Sequence, residues 1–134
     1  MPAFSLKTYQ SQALASLERF LLAADNTGSL PAAWAQEMQR QAAVGGDIGE
    51  GERRVTAAYR AEAFGEAPCV CLRIPTGGGK TLLASHAIAL IARAWAHREF
   101  PLALWLVPSD AIRSQTLDAL QTPGHAYRAA LEDS

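Results

Sequence analysis

The sequence predicts an α/β fold with a parallel sheet, and two observations carry this prediction. Cys69 to Ile74 and Leu102 to Val107 are short runs of mostly apolar or β-branched residues, and a helical pattern follows each of them. Such runs are typical of strands that are buried on both faces. A strand, helix, strand, helix order favours a parallel sheet with flanking helices.

The bulk composition is typical of a single globular domain. The chain has 134 residues, of which 49% are hydrophobic and 19% are charged. Its net charge of -1 gives no overall attraction to nucleic acid, so any such contact depends on a local patch. The first residues do not have the layout of a secretory signal, and we expect a cytoplasmic protein. The uncharged stretch from Thr81 to Ala92 falls short of the ~20 residues of a membrane span.

The first half of the chain, residues 1–67, is predicted to be mainly helical. Apolar residues recur at helical spacing in three places, and a loop rich in glycine and acids separates the second from the third. The predicted segments are a helix from Leu6 to Ala24, a helix from Pro31 that ends before Gly45, a loop from Gly45 to Glu52 and a helix from Glu52 to Phe64.

The second half, residues 68–134, holds the strand–helix–strand–helix part of the prediction. Thr81 to Trp95 is apolar nearly all round, which indicates a buried helix. Ser109 to Leu120 is predicted as a helix with Ser109 as its N-cap and Asp110 in its first turn.

The stretch "IPTGGGKT", Ile74 to Thr81, points to a phosphate-binding loop. A strand that turns through glycines into a helix directs several backbone N–H groups and a helix N-terminus toward one point, which favours an anion. Lys80 can then reach the β and γ phosphates of a nucleotide, and the Thr81 hydroxyl can ligate Mg²⁺. The general pattern has a glycine where this chain has Ile74, so the sequence departs from it there.

Three stretches resemble the N-terminal ATPase domain of superfamily 2 helicases. "RIPTGGGKT" resembles motif I, whose first glycine is replaced in these helicases by a small or apolar residue. "LKTYQSQAL" is similar to the segment before motif I, in which an aromatic residue and a glutamine recognise adenine. "LALWLVPSDAIRSQTLDAL" looks like motif Ia, in particular in the restriction subunit of type III restriction-modification enzymes.

The resemblance implies part of a RecA-like P-loop domain that binds ATP with Mg²⁺ and moves on DNA. It implies phosphate and metal contacts from the motif I residues, adenine contacts from two residues upstream, and DNA-backbone contacts from motif Ia. A separate modification or recognition subunit is implied as a further partner. The implied catalytic residues are Lys80 and Thr81; the implied nucleotide-binding residues are Tyr9, Gln10, Thr76, Gly77, Gly78, Gly79, Lys80 and Thr81; the implied DNA contacts are Pro108, Ser109 and Arg113.

The sequence ends soon after the motif Ia stretch, and no acidic motif follows it. The carboxylates in "LEDS", Leu131 to Ser134, lie in no apolar strand. Phosphoryl transfer in this class also uses downstream carboxylates and arginines. We therefore expect an N-terminal fragment of a DNA-dependent ATPase that does not hydrolyse ATP by itself. The alternatives are a nucleotide-binding relic without catalysis and, from the loop alone, a P-loop kinase.

Overall fold

The computed structural model describes residues 5–44, 58–60 and 64–132, and within these ranges the secondary structure is helical. Five α-helices are described there, and a π-helical turn, Ala92–Ala96, directly follows the third. The helices are α1 (Thr8–Thr27), α2 (Leu30–Val44), α3 (Lys80–Ile91), α4 (Asp110–Gln121) and α5 (Ala126–Glu132). None of them combines the length and the apolar character that crossing a lipid bilayer requires.

The predicted α/β fold is wrong for the described part of the chain, which contains no strand and no sheet. Cys69 to Ile74 and Leu102 to Val107 are irregular segments, so the RecA-like parallel sheet is not formed. The physical reason is that a strand requires a hydrogen-bonded neighbour along its backbone, whereas composition only makes an extended conformation favourable. Leu102, Leu104 and Leu106 accordingly remain 103%, 85% and 83% exposed instead of being buried in a sheet.

The helical predictions agree better with the structure. α1 and α2 lie where the apolar spacing places them, and Gly28, with φ 64°, separates them. α3 and α4 also lie at the predicted positions. The predicted third helix is only partly covered, and its described residues 58–60 are not helical. The loop predicted from Gly45 to Glu52 lies outside the described residues, and α5 was not predicted.

The chain divides into two compact units. The first comprises Met1–Ala15 and Leu72–Ser134, and the second comprises Ser16–Cys71. In the first unit, α3 packs against α5, which also contacts α4. The core of this unit includes Leu83 and Leu90. Because α3 is anchored by these contacts, its N-terminus and the loop before it have a defined position within the unit.

The second unit has an aromatic and aliphatic core between α1 and α2. Phe20 is 2% exposed, and its ring meets the Trp34 ring edge-on with centroids 6.0 Å apart. Tyr59 lies 5.8 Å from both of these rings, so the three aromatic side chains form one cluster. Aromatic pairs in such geometry contribute roughly 0.5–1.5 kcal/mol each beyond the burial of their area.

A charged network also joins α1 to α2 in this unit. The Glu37 side chain is buried, and its carboxylate accepts hydrogen bonds from the Ser16 hydroxyl at 2.7 Å and from Arg19 Nε and Nη2 at 2.9 and 2.8 Å. The Gln41 amide donates to the same carboxylate at 3.2 Å. The buried charge is therefore fully compensated, which is the condition under which a buried carboxylate is tolerated.

Burial of Glu37 by itself raises the pKa of its carboxyl group, because the charged form loses hydration. The hydrogen bonds from Arg19, Ser16 and Gln41 act in the opposite direction and together outweigh the burial, so the pKa lies below its ordinary value. The hydrogen bond to Glu37 likewise raises the pKa of Arg19. A carboxyl pKa that is lower in the folded than in the unfolded protein links the stability of this unit to pH.

We predict that Glu37→Gln lowers the free energy of unfolding by about 1–3 kcal/mol at pH 7, because Arg19 and Ser16 lose a charged acceptor. In the unsubstituted protein, this contribution is complete above the unfolded glutamate pKa of about 4.3 and is lost as the pH falls through the lower folded pKa. Urea unfolding followed by circular dichroism at pH 7 and at lower pH measures both effects. Equal stability of the two proteins at pH 7 contradicts this account.

Glu132→Gln is the matched control for this prediction. Glu132 also accepts from an arginine, Arg128, at 2.6 Å, but both side chains are exposed. Exposed pairs of this kind contribute about 0–1 kcal/mol, so the control should change stability and its pH dependence little.

Candidate functional site

The glycine-rich loop forms a tight turn that leads directly into α3. The Gly78 N–H donates to the Pro75 carbonyl at 3.0 Å, which closes a four-residue turn. Gly77, the third residue of this turn, has φ 74°, a backbone conformation that glycine adopts without strain. Gly79 has φ 75° and is the residue immediately before α3. The sequence thus supplies glycine at the two positions of left-handed backbone.

The N-terminus of α3 is available for an anion. No side chain caps it, and its first turn contains no acidic residue. The first hydrogen bond of the helix runs from the Leu83 N–H to the Gly79 carbonyl at 3.0 Å. The N–H groups of Lys80 and Thr81 precede it, and amides in this position have no partner within the helix. Together with the helix dipole, they favour a negatively charged group.

Lys80 adds a positive charge to the same loop. Its ammonium group donates to the Pro75 carbonyl at 3.2 Å, so the side chain extends from the first residue of α3 back across the glycine-rich loop. The contact is exposed, and an exposed hydrogen bond to a neutral carbonyl is readily exchanged for one to an anion. The neighbouring Thr81 is half-buried, and its carbonyl accepts from the Ser85 hydroxyl at 3.1 Å.

The residues predicted to recognise adenine lie against this loop. The Tyr9 hydroxyl donates to the Gly78 carbonyl at 3.0 Å, and the Gln10 amide donates to the same oxygen at 2.8 Å. The Gln10 side-chain oxygen accepts from the Lys7 backbone N–H at 2.8 Å. Gln10 is 5% exposed, whereas Tyr9 is 36% exposed. The structure brings the first turn of α1 and the glycine-rich loop together, although Gln10 and Gly78 are 68 positions apart in the sequence.

Ile74, which departs from the general loop pattern, packs against the loop itself. A methyl group added at Gly78 would lie 2.6 Å from Ile74 Cγ2 and 2.8 Å from the Pro75 carbonyl. A methyl group added at Gly79 would lie 2.6 Å from the Gln10 amide nitrogen. Close neighbours therefore require glycine at Gly78, and both a close neighbour and the left-handed conformation require it at Gly79, whereas a methyl group at Gly77 meets nothing within 4 Å.

The predicted DNA contacts lie at the start of α4. Ser109 is the N-cap, as predicted, and its hydroxyl accepts from the Ile112 N–H at 3.4 Å. Arg113 donates from Nε to the Asp110 carboxylate at 2.7 Å, and both side chains are largely exposed. Pro108 is also exposed. This helix start is capped and carries an acid, so it is less favourable for an anion than the start of α3.

Two backbone groups that contribute to the site could not be identified from the sequence. The Pro75 carbonyl holds both the turn and Lys80, and the Lys7 N–H holds Gln10. Backbone groups are present at every residue, so composition and spacing contain no signal for them. In the described ranges, no group of three or more His, Cys, Asp or Glu side chains is placed to hold a metal ion. Thr81, the single residue that the sequence predicts as a metal ligand, lies in the first turn of α3.

An uncapped helix start, a glycine loop and a lysine are features that phosphate-binding loops typically combine, and all three occur together at the start of α3. The family described as type III restriction enzyme, res subunit, matches residues 3–133, so the chain belongs to this family. Its members are helicase-like ATPases that use ATP and Mg²⁺ and act on DNA. No curated protein and no solved structure matches the chain.

We predict that alanine is tolerated differently at the loop glycines. Gly77→Ala should lower the free energy of unfolding by about 1–2 kcal/mol, because only the left-handed conformation opposes it. Gly79→Ala places alanine in the same left-handed conformation and also displaces the Gln10 amide. It should therefore lower the free energy of unfolding by roughly 1 kcal/mol more than Gly77→Ala does. Urea unfolding of the purified variants measures the difference.

Gly124→Ala serves as the control, because Gly124 has φ 76° with nothing within 4 Å of an added methyl group. It should resemble Gly77→Ala. If Gly79→Ala proves no more destabilising than these two variants, the close contact between Gln10 and the loop is refuted.

Proposed function

We propose that this chain binds the triphosphate of ATP on the loop from Gly77 to Thr81 and is part of a DNA-dependent ATPase. The observation that carries the proposal is the uncapped start of α3 behind a loop of three glycines, with the Lys80 ammonium lying across it. Membership of the type III restriction subunit family supports DNA, rather than the phosphoryl acceptor of a P-loop kinase, as the second ligand beside ATP.

Each residue of the loop has a distinct part in this proposal. The glycines place no side chains over the loop, so phosphate oxygens can approach the N–H groups of Lys80 and Thr81 closely, whereas the Gly78 N–H is already bonded to the Pro75 carbonyl. Lys80 exchanges its contact with the Pro75 carbonyl for the β and γ phosphates and neutralises their charge. The Thr81 hydroxyl provides one ligand for Mg²⁺, which when bound offsets the charge of the phosphate oxygens.

We further propose that the adenine ring lies beside Tyr9 and Gln10. The Tyr9 side chain is exposed enough to offer an aromatic surface to a base. Gln10 keeps one amide hydrogen and one oxygen lone pair beyond the two bonds it makes, and adenine requires a donor and an acceptor on one edge. Both residues adjoin Gly78, so the base and the phosphates of one nucleotide fall in the same unit.

DNA contacts are proposed at the start of α4, from Ser109 and Arg113 together with Pro108. Arg113 is held by an exposed ion pair that contributes about 0–1 kcal/mol, so a DNA phosphate can replace Asp110 with little loss. Such contacts read no base sequence, which fits an enzyme that moves along the backbone. In the intact protein, ATP hydrolysis would drive this movement.

We predict that Lys80→Ala weakens ATP–Mg²⁺ binding roughly 10- to 100-fold, because a hydrogen bond between two charged groups is lost. Isothermal titration of the purified chain measures the change. Lys7→Ala is the matched control, because Lys7 contributes a backbone N–H rather than its ammonium group to the site. If Lys80→Ala leaves the ATP affinity unchanged, the assignment of the phosphates to this loop is ruled out. Binding of ATP without hydrolysis agrees with the assignment.

We predict opposite effects of two substitutions on DNA binding. Arg113→Gln should weaken binding and reduce the salt slope by about 0.9, the value for one phosphate contact, whereas Asp110→Asn should strengthen binding by removing a like charge. Fluorescence anisotropy with random-sequence DNA over a series of salt concentrations measures both. Arg128→Gln is the control, since Arg128 is paired with Glu132 in a similar exposed geometry. An equal effect of the control contradicts a specific role for α4.

A further inference from the structure

We propose that Tyr9 and Gln10 are positioning residues that fix the conformation of the phosphate loop through the Gly78 carbonyl, independently of any base. This inference rests on the proposed function, in which the loop holds phosphate, and adds to it a means by which the loop is organised before the ligand arrives. The two side chains act on the backbone of the loop and need not touch the phosphates.

Two donors converge on one oxygen, that of the Gly78 carbonyl. Tyr9 and Gln10 are consecutive residues of α1, and both donate to the Gly78 carbonyl, at 3.0 and 2.8 Å. A carbonyl oxygen has two lone pairs, so both bonds can form together. When both hydrogen bonds are present, the Gly78 oxygen has no lone pair left for another donor. Two side chains of α1 then set the direction in which this carbonyl points.

The Gly78 carbonyl and the Gly79 N–H belong to one rigid peptide plane. The peptide bond between Gly78 and Gly79 is trans, so its C=O and N–H point in opposite directions. Holding the Gly78 carbonyl toward α1 therefore turns the Gly79 N–H away from it. Since glycine on both sides of a peptide leaves that plane unusually free to rotate, an outside anchor is needed to select one orientation.

The Gln10 side chain, which anchors the loop, is itself held in place. The Gln10 side-chain oxygen accepts from the Lys7 N–H, the residue is buried, and Gly79 packs so closely on its amide nitrogen that no Cβ fits between them. The amide is thus bonded at both of its ends. A loop held by such a group spends most of its time in one conformation. A loop without this anchor is in the phosphate-binding conformation for only part of the time, and its apparent affinity for phosphate falls in proportion to that fraction.

The test uses inorganic triphosphate with Mg²⁺, a probe that has no base. Isothermal titration should show binding weakened roughly three- to tenfold by Tyr9→Phe and by Gln10→Ala, the size expected for one hydrogen bond. Gln12→Ala, an exposed glutamine on the same helix, is the matched control and should leave the affinity unchanged. If neither variant changes triphosphate affinity, or if only ATP affinity falls, the inference is overturned and the residues act on the base alone.

A second measurement needs no ligand and separates this inference from the proposed function. In ¹⁵N-labelled protein, Tyr9→Phe should shift the amide resonance of Gly79 and speed its hydrogen exchange, whereas Gln12→Ala should not. An unmoved Gly79 resonance overturns the inference even when triphosphate binds. If the unsubstituted chain binds no triphosphate while the Gly79 resonance moves as expected, the proposed function fails and the anchoring contact stands. Tyr9→Phe removes a single half-exposed hydroxyl, so this variant tests the anchoring of the loop even if Gln10→Ala does not fold.

Discussion

The candidate site depends on one constraint, which is that three consecutive glycines must be held in a single conformation. Glycine lets the backbone turn sharply and approach a ligand, but the same freedom opposes order. In this chain the opposing contacts come from the Pro75 carbonyl, from Ile74 and from the first turn of α1, and α3 fixes the far end of the loop. The three glycines are therefore ordered by contacts with the residues around them rather than by side chains of their own.

The starts of α3 and α4 show how local chemistry separates a candidate anion site from an ordinary helix end. α4 begins with a serine that caps its amides and an aspartate that complements its dipole. α3 begins with neither, and a lysine stands where α4 has the acid. The buried charge of Glu37 in the second unit differs from the loop in this respect, because both of its carboxylate oxygens already accept hydrogen bonds from side chains of α1 and α2. That network stabilises a helix pair, whereas the loop before α3 keeps groups available for a ligand.

The failure of the strand predictions and the success of the helix predictions have the same physical origin. An α-helix satisfies its backbone hydrogen bonds within its own segment, so spacing and caps such as Gly28 and Ser109 are sufficient to locate it. A strand satisfies them only with another segment. Leu102 to Leu106 has the composition of a buried strand, yet its leucines are exposed because no described segment pairs with it.

The sequence by itself determined the chemistry of the candidate site: glycines for the turn, Lys80 for charge, Thr81 beside it and a helix behind them. It also determined the family, because these motifs lie in one linear order. Only the tertiary structure decided that Tyr9 and Gln10 meet at the Gly78 carbonyl, that Ile74 closes on the loop and that no sheet forms in the described ranges. Those outcomes depend on contacts between residues far apart in the chain, and local composition does not encode which distant groups will meet.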